Sequence, residues 1–364
     1  MKFDFQGRKV LVTGHTGFKG AWLTLWLKLL GADISGIALE PTDESGAFCA
    51  MGISSLCEDI RQDINDFDKV FSIFEKQKPE IVFHLAAQSL VLQSYDQPLE
   101  TFQTNVIGTA NILEACRRFK SVKVIIIVTT DKCYENKEWV FGYREIDRLG
   151  GIDPYSGSKA AAEMLVKSYL ESFFSVNNKT GLASVRAGNV IGGGDWAENR
   201  IVPDCIRALK AGKAIEVRNP SSVRPWQHVL EPLGGYLMLA QKMLENPKRF
   251  SGSWNFGPGY EGIRNVKDLV RYLINLWGEG EWENKDLGKK NKPHEAALLT
   301  LDISKARNLL LWQPVYSFHK TVDATVSWYK SQSLGENMKI KSIKQIEDYQ
   351  KFLYSQYSLN TYFQ

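Results

Sequence analysis

Short, almost wholly apolar runs alternate with longer stretches of mixed polarity through the first half of the chain. Lys9–Thr13 (KVLVT), Asp33–Leu39, Glu80–Leu85 (EIVFHL), Val122–Val128 (VKVIIIV) and Leu182–Arg186 have the length and β-branched content of strands. Between them, Ala21–Leu30, Phe67–Gln77, Leu99–Phe119 and Tyr155–Phe174 have the length and spacing of helices, and Gly31 stands where the first should stop. Continuous apolar strands alternating with helices predict an α/β fold whose parallel sheet is covered on both faces. The alternation ends near Gly188. Beyond it come Gly192-Gly193-Gly194 and predicted helices at Pro203–Lys210, Val229–Glu245, Val266–Trp277, Ser304–Leu311 and Lys320–Ser331. Asn284–Pro293 is polar and lysine-rich and reads as a surface loop. The tail after Gln332 turns from polar to aromatic and carries no motif.

The first strand runs into Gly14-His15-Thr16-Gly17-Phe18-Lys19-Gly20 and then into the first helix. Glycines at such a junction allow a tight turn and close backbone approach, and the helix N-terminus presents free N–H groups to a pyrophosphate. Strand, glycine turn and helix together make a dinucleotide site. At the end of the second strand Glu40 is the only acid and no arginine is expected nearby, which favours NAD over NADP. The alternative for Glu40 is a solvated loop position.

Tyr155 and Lys159 stand four apart at the start of a helix, on one face. A tyrosine is a poor base near its ordinary pKa of about 10, and a neighbouring ammonium together with a nicotinamide charge would lower it. The pair could then accept the proton of an alcohol being oxidised. YxxxK alone is common by chance; behind an apolar strand and a glycine turn it gains weight. Thr129-Thr130-Asp131-Lys132 follows the VKVIIIV strand, at the carboxyl end where open α/β sheets gather their chemistry.

Composition narrows the class. Lys plus Arg is 45 and Asp plus Glu 41, a net charge of +4 without a clustered basic footprint, so no nucleic-acid partner is expected. The longest apolar run, Val124–Val128, is far too short to span a bilayer, and Met1–Gly7 has no signal core, so neither a membrane nor export is expected. The five cysteines form no CxxC pair and the five histidines are scattered, which fits a reducing cytoplasm and no metal site.

TGHTGFKG (13–20), HLAAQ (84–88), TNVIGT (104–109), TTDKCY (129–134), GYRE (142–145) and DPYSGSK (153–159) resemble the extended short-chain dehydrogenase/reductase family. Within it, TDKCY, ENKEWVFGYRE (135–145), RAGNVIGGGDW (186–196) and RPWQHVL (224–230) resemble the CDP-glucose branch of the nucleotide-sugar 4,6-dehydratases. Lys132 stands where the dTDP-glucose branch carries Glu. The resemblance covers roughly residues 5 to 330. It implies a Rossmann domain over residues 1–186 and a smaller α/β substrate domain over 187–335, from which segments can return to the first, and a tail over 336–364. It implies bound NAD and a sugar-nucleotide substrate, CDP-glucose, dehydrated to its 4-keto-6-deoxy form for deoxysugar synthesis of the O-antigen kind.

The roles implied are these. Tyr155 takes the O4 proton, Thr130 holds O4, and Lys159 holds the nicotinamide ribose. Asp131 protonates the departing O6 hydroxyl, and Lys132 lies near C5, serving as a base only if burial or nearby cations keep it neutral. Gly14 to Gly20, Glu40, Asp63, Ile64, Leu85, Ala86, Ala87, Gln88, Thr104 and Thr129 lie along the cofactor. Asn189, Arg200, Arg218 and Arg224 meet the sugar nucleotide. Trp196 and Trp226 line the base pocket or are core, and His228 is structural or a ligand. The helices at 99–119 and 155–174 imply a homodimer, or a dimer of dimers. An epimerase or reductase on another nucleotide sugar is the rival enzyme, against which Asp131-Lys132 argues. A noncatalytic NAD sensor is the rival of another class, against which Tyr155 and Lys159 argue.

Overall fold

A computed structural model of the chain describes residues 3–177, 179–285 and 298–362. The lysine-rich stretch expected as a loop lies mostly outside these, as does His294. Seven parallel strands form the central sheet: β1 (Lys9–Thr13), β2 (Asp33–Ala38), β3 (Glu58–Arg61), β4 (Ile81–His84), β5 (Val124–Val128), β6 (Gly181–Ala187) and β7 (Gly252–Phe256), in the order β7-β6-β5-β4-β1-β2-β3. Every residue of β5 and β6 is buried, as expected for strands covered on both faces. The order reverses between β1 and β4, and the crevice outside their carboxyl ends is where a doubly wound sheet binds ligands.

Helix α1 (Phe18–Leu29) follows the glycine turn and ends at Leu30, with Gly31 at φ +78° as the sequence suggested. Helix α2 (Phe67–Gln77) starts at Asp66, whose carboxylate caps the Lys69 N–H. The predicted 99–119 helix is Pro98–Phe102, a wider turn at Gln103–Gly108 and α3 (Thr109–Arg118). Helix α4 (Pro154–Tyr169) carries Tyr155 and Lys159; Asp153 caps it through the Ser156 N–H at 2.9 Å, and Pro154 fits its first turn.

Two elements lie where no strand or helix was predicted, the first of them a segment returning to the first domain. Strand β7 follows α5 (Leu230–Glu245) and returns to the sheet beside β6, so the second half of the chain completes the first half's sheet. The tail after α6 (Phe318–Ser333) is a helix, α7 (Met338–Tyr362), packed over the N-terminal helix rather than loose. Tyr349 sits edge-on to Trp26 with ring centroids 5.6 Å apart, and Tyr354 likewise meets Phe3. Trp328 Nε1 donates to Ser342 Oγ at 2.9 Å. Glu231 on α5 fastens this layer: its carboxylate accepts the Val315 and Tyr316 N–H groups and the Tyr349 hydroxyl, at 2.9, 2.6 and 2.8 Å. Five tryptophans (22, 26, 254, 312 and 328) are fully buried in the resulting core.

Candidate active site

The glycine turn is built from contacts. Gly14 has φ +76°, and a Cβ there would lie 2.7 Å from the Ala86 N, so only glycine lets the exits of β1 and β4 meet. A Cβ on Gly20 would lie 2.1 Å from the Gly14 carbonyl oxygen, so the third glycine sets how closely α1 packs on the turn. Gly17 is the helix N-cap; no side chain caps this end and no acid stands in its first turn. An uncapped helix end aimed into a crevice is an anion site. Thr13 Oγ1 accepts the Leu85 and Ala86 N–H groups and bonds to His84 Nδ1 at 2.7 Å, tying β4's exit to the turn.

From this turn a cleft of about 1580 Å³ runs across the sheet's carboxyl edge to residues 216–219 and 224–226. That exceeds a drug-sized pocket and suits two extended ligands end to end. Every residue assigned above to catalysis, cofactor or sugar nucleotide lines it, except His15. The His15 ring is fully buried, bonded through Nε2 to Asp59 at 2.7 Å and packed where any Cβ on Gly36 would stand. Its side chain is a prop under the turn. His228 is also buried outside the cleft, between Trp22 and Tyr316. Trp196 and Trp226 do line it.

The expectation that no arginine approaches Glu40 is corrected. β3 lies beside β2 with Ala38 opposite Arg61, and Arg61 Nε stands 3.3 Å from Glu40 Oε2. Asp59 and the Leu39 carbonyl also hold Arg61, and its guanidinium lies over the Phe48 ring. Glu40 keeps a carboxylate at the cleft edge, which suits a ribose diol and opposes a 2′-phosphate. Glycine turn, uncapped helix end and Glu40 together fit an NAD-sized dinucleotide.

At the exit of β5, Thr130 Oγ1 donates to Asp131 Oδ1 at 3.0 Å. Asp131 is buried among the residues that line the cleft, and its Oδ2 has no hydrogen-bond partner. Lys132 Nζ lies 3.7 Å from Asp131 Oδ1, with its side chain 35% exposed, so it is an ion-pair partner rather than a lysine sealed from water. Across from them the Tyr155 N–H donates to the buried Ser94 Oγ at 3.1 Å, a hold the sequence did not reveal.

Burial pushes the Tyr155 phenol up to about 12; Thr130 and the Arg200 charge draw it down, while Asp131 and Asp153 oppose them. The lowering expected from Lys159 is not the governing effect, because the Lys159 ammonium instead donates to the Val128 carbonyl at 3.2 Å. Burial brings Lys159 down to about 8, and Lys19 also to about 8, with Arg200 and Lys159 adding to the fall of Lys19. Arg200 Nη1 donates to Asp195 at 2.8 Å and Nη2 to Ser89 at 3.1 Å. Asn189 holds φ +44° with its buried Oδ1 unpartnered at the cleft. Arg224 donates to the Val223 carbonyl, and Arg218 reaches Asn199 at 3.4 Å. Among the described residues no group of His, Cys, Asp and Glu could hold a metal ion, and no helix is long and apolar enough to cross a membrane.

The chain is similar to known proteins over nearly its whole length. It is 47% identical to the CDP-glucose 4,6-dehydratase of Salmonella typhimurium, covering 95% of this chain and 97% of that protein. It is 26% identical to the human dTDP-D-glucose 4,6-dehydratase, covering 89% and 90%. Among solved structures, the dTDP-glucose 4,6-dehydratase of Bacillus anthracis in complex with NAD superposes with a TM-score of 0.74 at 19% identity, covering 92% of this chain and all of that one. The UDP-glucose 4-epimerase of Thermotoga maritima gives 0.76 at 23%, covering 89% and 99%. Both likenesses are of fold. A match to the family model described as GDP-mannose 4,6 dehydratase runs from residue 11 to residue 325, through the glycine turn, Tyr155 and the far wall of the cleft, and the chain belongs to that family.

Proposed function

We propose that the protein is a nucleotide-sugar 4,6-dehydratase that uses bound NAD and takes CDP-glucose as substrate. The observation that carries this reading is the pairing of two sets of groups across one cleft. Tyr155 and Lys159 stand on α4, and Thr130, Asp131 and Lys132 at the exit of β5. An epimerase or reductase needs only the first set; eliminating water needs an acid and a base as well. The relative at 47% identity supports the cytidine nucleotide and the sugar.

The residues from Gly14 to Gly20, with Glu40, Asp63 and Ile64, would hold NAD, which when bound supplies the acceptor for the C4 hydride and returns it to C6. Tyr155 takes the O4 proton with Thr130 beside it. The Arg200 charge already favours its phenolate, and further positive charge in the cleft would favour it more. The 4-ketone then makes the C5 proton labile. Asp131 would protonate the departing O6 hydroxyl, and Lys132, whose Nζ lies 3.7 Å from Asp131 Oδ1, would stand near C5. Asn189, Arg200, Arg218 and Arg224 would hold the sugar nucleotide, the guanidiniums suiting its diphosphate.

Residues to about 186 would serve mainly the cofactor and those from 187 to 335 mainly the sugar nucleotide. The exposed apolar side chains of Leu99, Phe102 and Ile107 beside Met164 and Phe173 support a homodimer through helices 98–118 and 154–174. The described cysteines are all free, which supports a cytoplasmic setting, with the product feeding deoxysugar synthesis. Incubation with CDP-, dTDP-, GDP- and UDP-glucose in the presence of NAD tests the assignment. The reading requires a product one water lighter from CDP-glucose; none from it would overturn the reading, and product from another nucleotide would move the specificity.

A further inference from the structure

Below the cleft lies a buried ion pair that the chemistry above does not use. Glu163 follows Lys159 by one turn of α4, and its side chain and that of Arg186 on β6 are 1% and 2% exposed. Arg186 Nη2 donates to Glu163 Oε2 at 2.7 Å, and Ser184 Oγ donates to the same oxygen at 2.7 Å. Glu163 Oε1 accepts the Thr129 hydroxyl at 2.5 Å. Arg186 in turn donates to the Tyr134 hydroxyl at 2.6 Å and lies over that ring. Two residues one turn apart on α4 thus grip two consecutive strand-end residues: Lys159 holds the Val128 carbonyl, and Glu163 holds the Thr129 side chain. The next two residues are Thr130 and Asp131.

We propose that Glu163, with Arg186 as its counter-ion, is a positioning residue that locks the Thr130–Asp131 segment in register with Tyr155 and Lys159 and supplies the negative charge behind Lys159. A buried pair is seldom retained for stability alone, since apolar residues of the same volume do as well. Its retention under a cleft therefore calls for another account. The groups facing Lys159 are Glu163 on its own helix, Cys133 past β5, Lys19 on α1 and His84 at the end of β4. Of these, Glu163 is the largest influence keeping Lys159 protonated against its burial.

The register part of the inference rests on the dehydratase reading; the charge part does not, and the test separates them. Lysine labelled with carbon-13 is introduced, and the Lys159 signal, assigned by its loss in Lys159→Arg, is titrated by NMR without substrate. In Glu163→Gln the midpoint should fall by about one pH unit, while Glu163→Asp should stay near the wild type. Should the lone Arg186 charge prevent Glu163→Gln from folding, Glu163→Gln/Arg186→Met removes both charges, and the midpoint should again fall. An unmoved midpoint in the variant that folds overturns the charge role. Thr129→Val leaves the pair intact and loses the grip; turnover at saturating NAD should drop ~10²-fold with NAD affinity and the Lys159 midpoint unchanged. Undiminished turnover overturns the register role, whereas an inactive wild type with a normal Lys159 shift would instead count against the dehydratase reading.

Discussion

A Cβ on Gly188 would lie 1.9 Å from Oδ2 of Asp131 and 2.4 Å from its Cγ. Gly188 is the residue after β6, and Asp131 follows β5. The absent side chain is what lets the carboxyl group stand buried at the cleft with Oδ2 unpartnered. Gly188→Ala should therefore displace the acid while leaving the glycine turn untouched. Turnover should fall ~10²-fold with NAD affinity unchanged, as read by steady-state kinetics and a binding titration. Wild-type turnover in that variant would remove Asp131 from the reaction.

Glu40 and Arg61 pair at the cleft edge proposed to hold the adenosine. Glu40→Ala removes the carboxylate that opposes a 2′-phosphate and leaves the guanidinium as a partner for one. NADP affinity should rise roughly tenfold at low salt and less at high salt, because the pair is exposed and screened. Fluorescence titration with both dinucleotides at two ionic strengths reads this.

Leu99 and Met164 are 85% and 65% exposed on the helices assigned to the dimer. A charged residue at each, Leu99→Glu/Met164→Glu, should halve the mass measured by light scattering without lowering the melting temperature of the protomer. A wild type already monomeric at assay concentration would remove the dimer.

Burial raises the Glu231 carboxyl from 4.5 to about 7 against the pull of its three donors. A raised acid binds more protons folded than unfolded, so its contribution to stability is full below the unfolded value and is lost as pH climbs through 4.5 to 7. The displacement corresponds to on the order of 3 kcal/mol. Glu231→Gln lacks this loss, so its melting temperature relative to wild type should improve between pH 4.5 and 8. A difference independent of pH would contradict it.

What the sequence revealed depended on separation along the chain. The glycine turn and the Tyr155–Lys159 pair were legible because each is a local spacing with a physical meaning. Arg61 was missed as a partner of Glu40 because the two meet only through the β2–β3 pairing, and Gly188 because its neighbour Asp131 follows a different strand. His15 sits inside the glycine motif, yet its ring turns under the turn toward Asp59, a direction no spacing specifies. Strand β7 and helix α7 were missed for a related reason. The former is a short mixed-polarity run whose role comes from β6 beside it, and the latter buries a narrow stripe, Met338, Ile346, Tyr349 and Leu353, set among polar residues that mask it in the sequence.

The central claim is that one cleft oxidises C4, expels water across C5 and C6, and reduces C6 without releasing the hydrogen it takes. CDP-glucose carrying deuterium at C4, incubated with the NAD-loaded protein and analysed by NMR and mass spectrometry, tests this most directly. The account predicts a 4-keto-6-deoxy product with the deuterium at C6 and one solvent hydrogen at C5. A product that keeps its C6 hydroxyl, or whose C4 deuterium is lost to solvent, would contradict it.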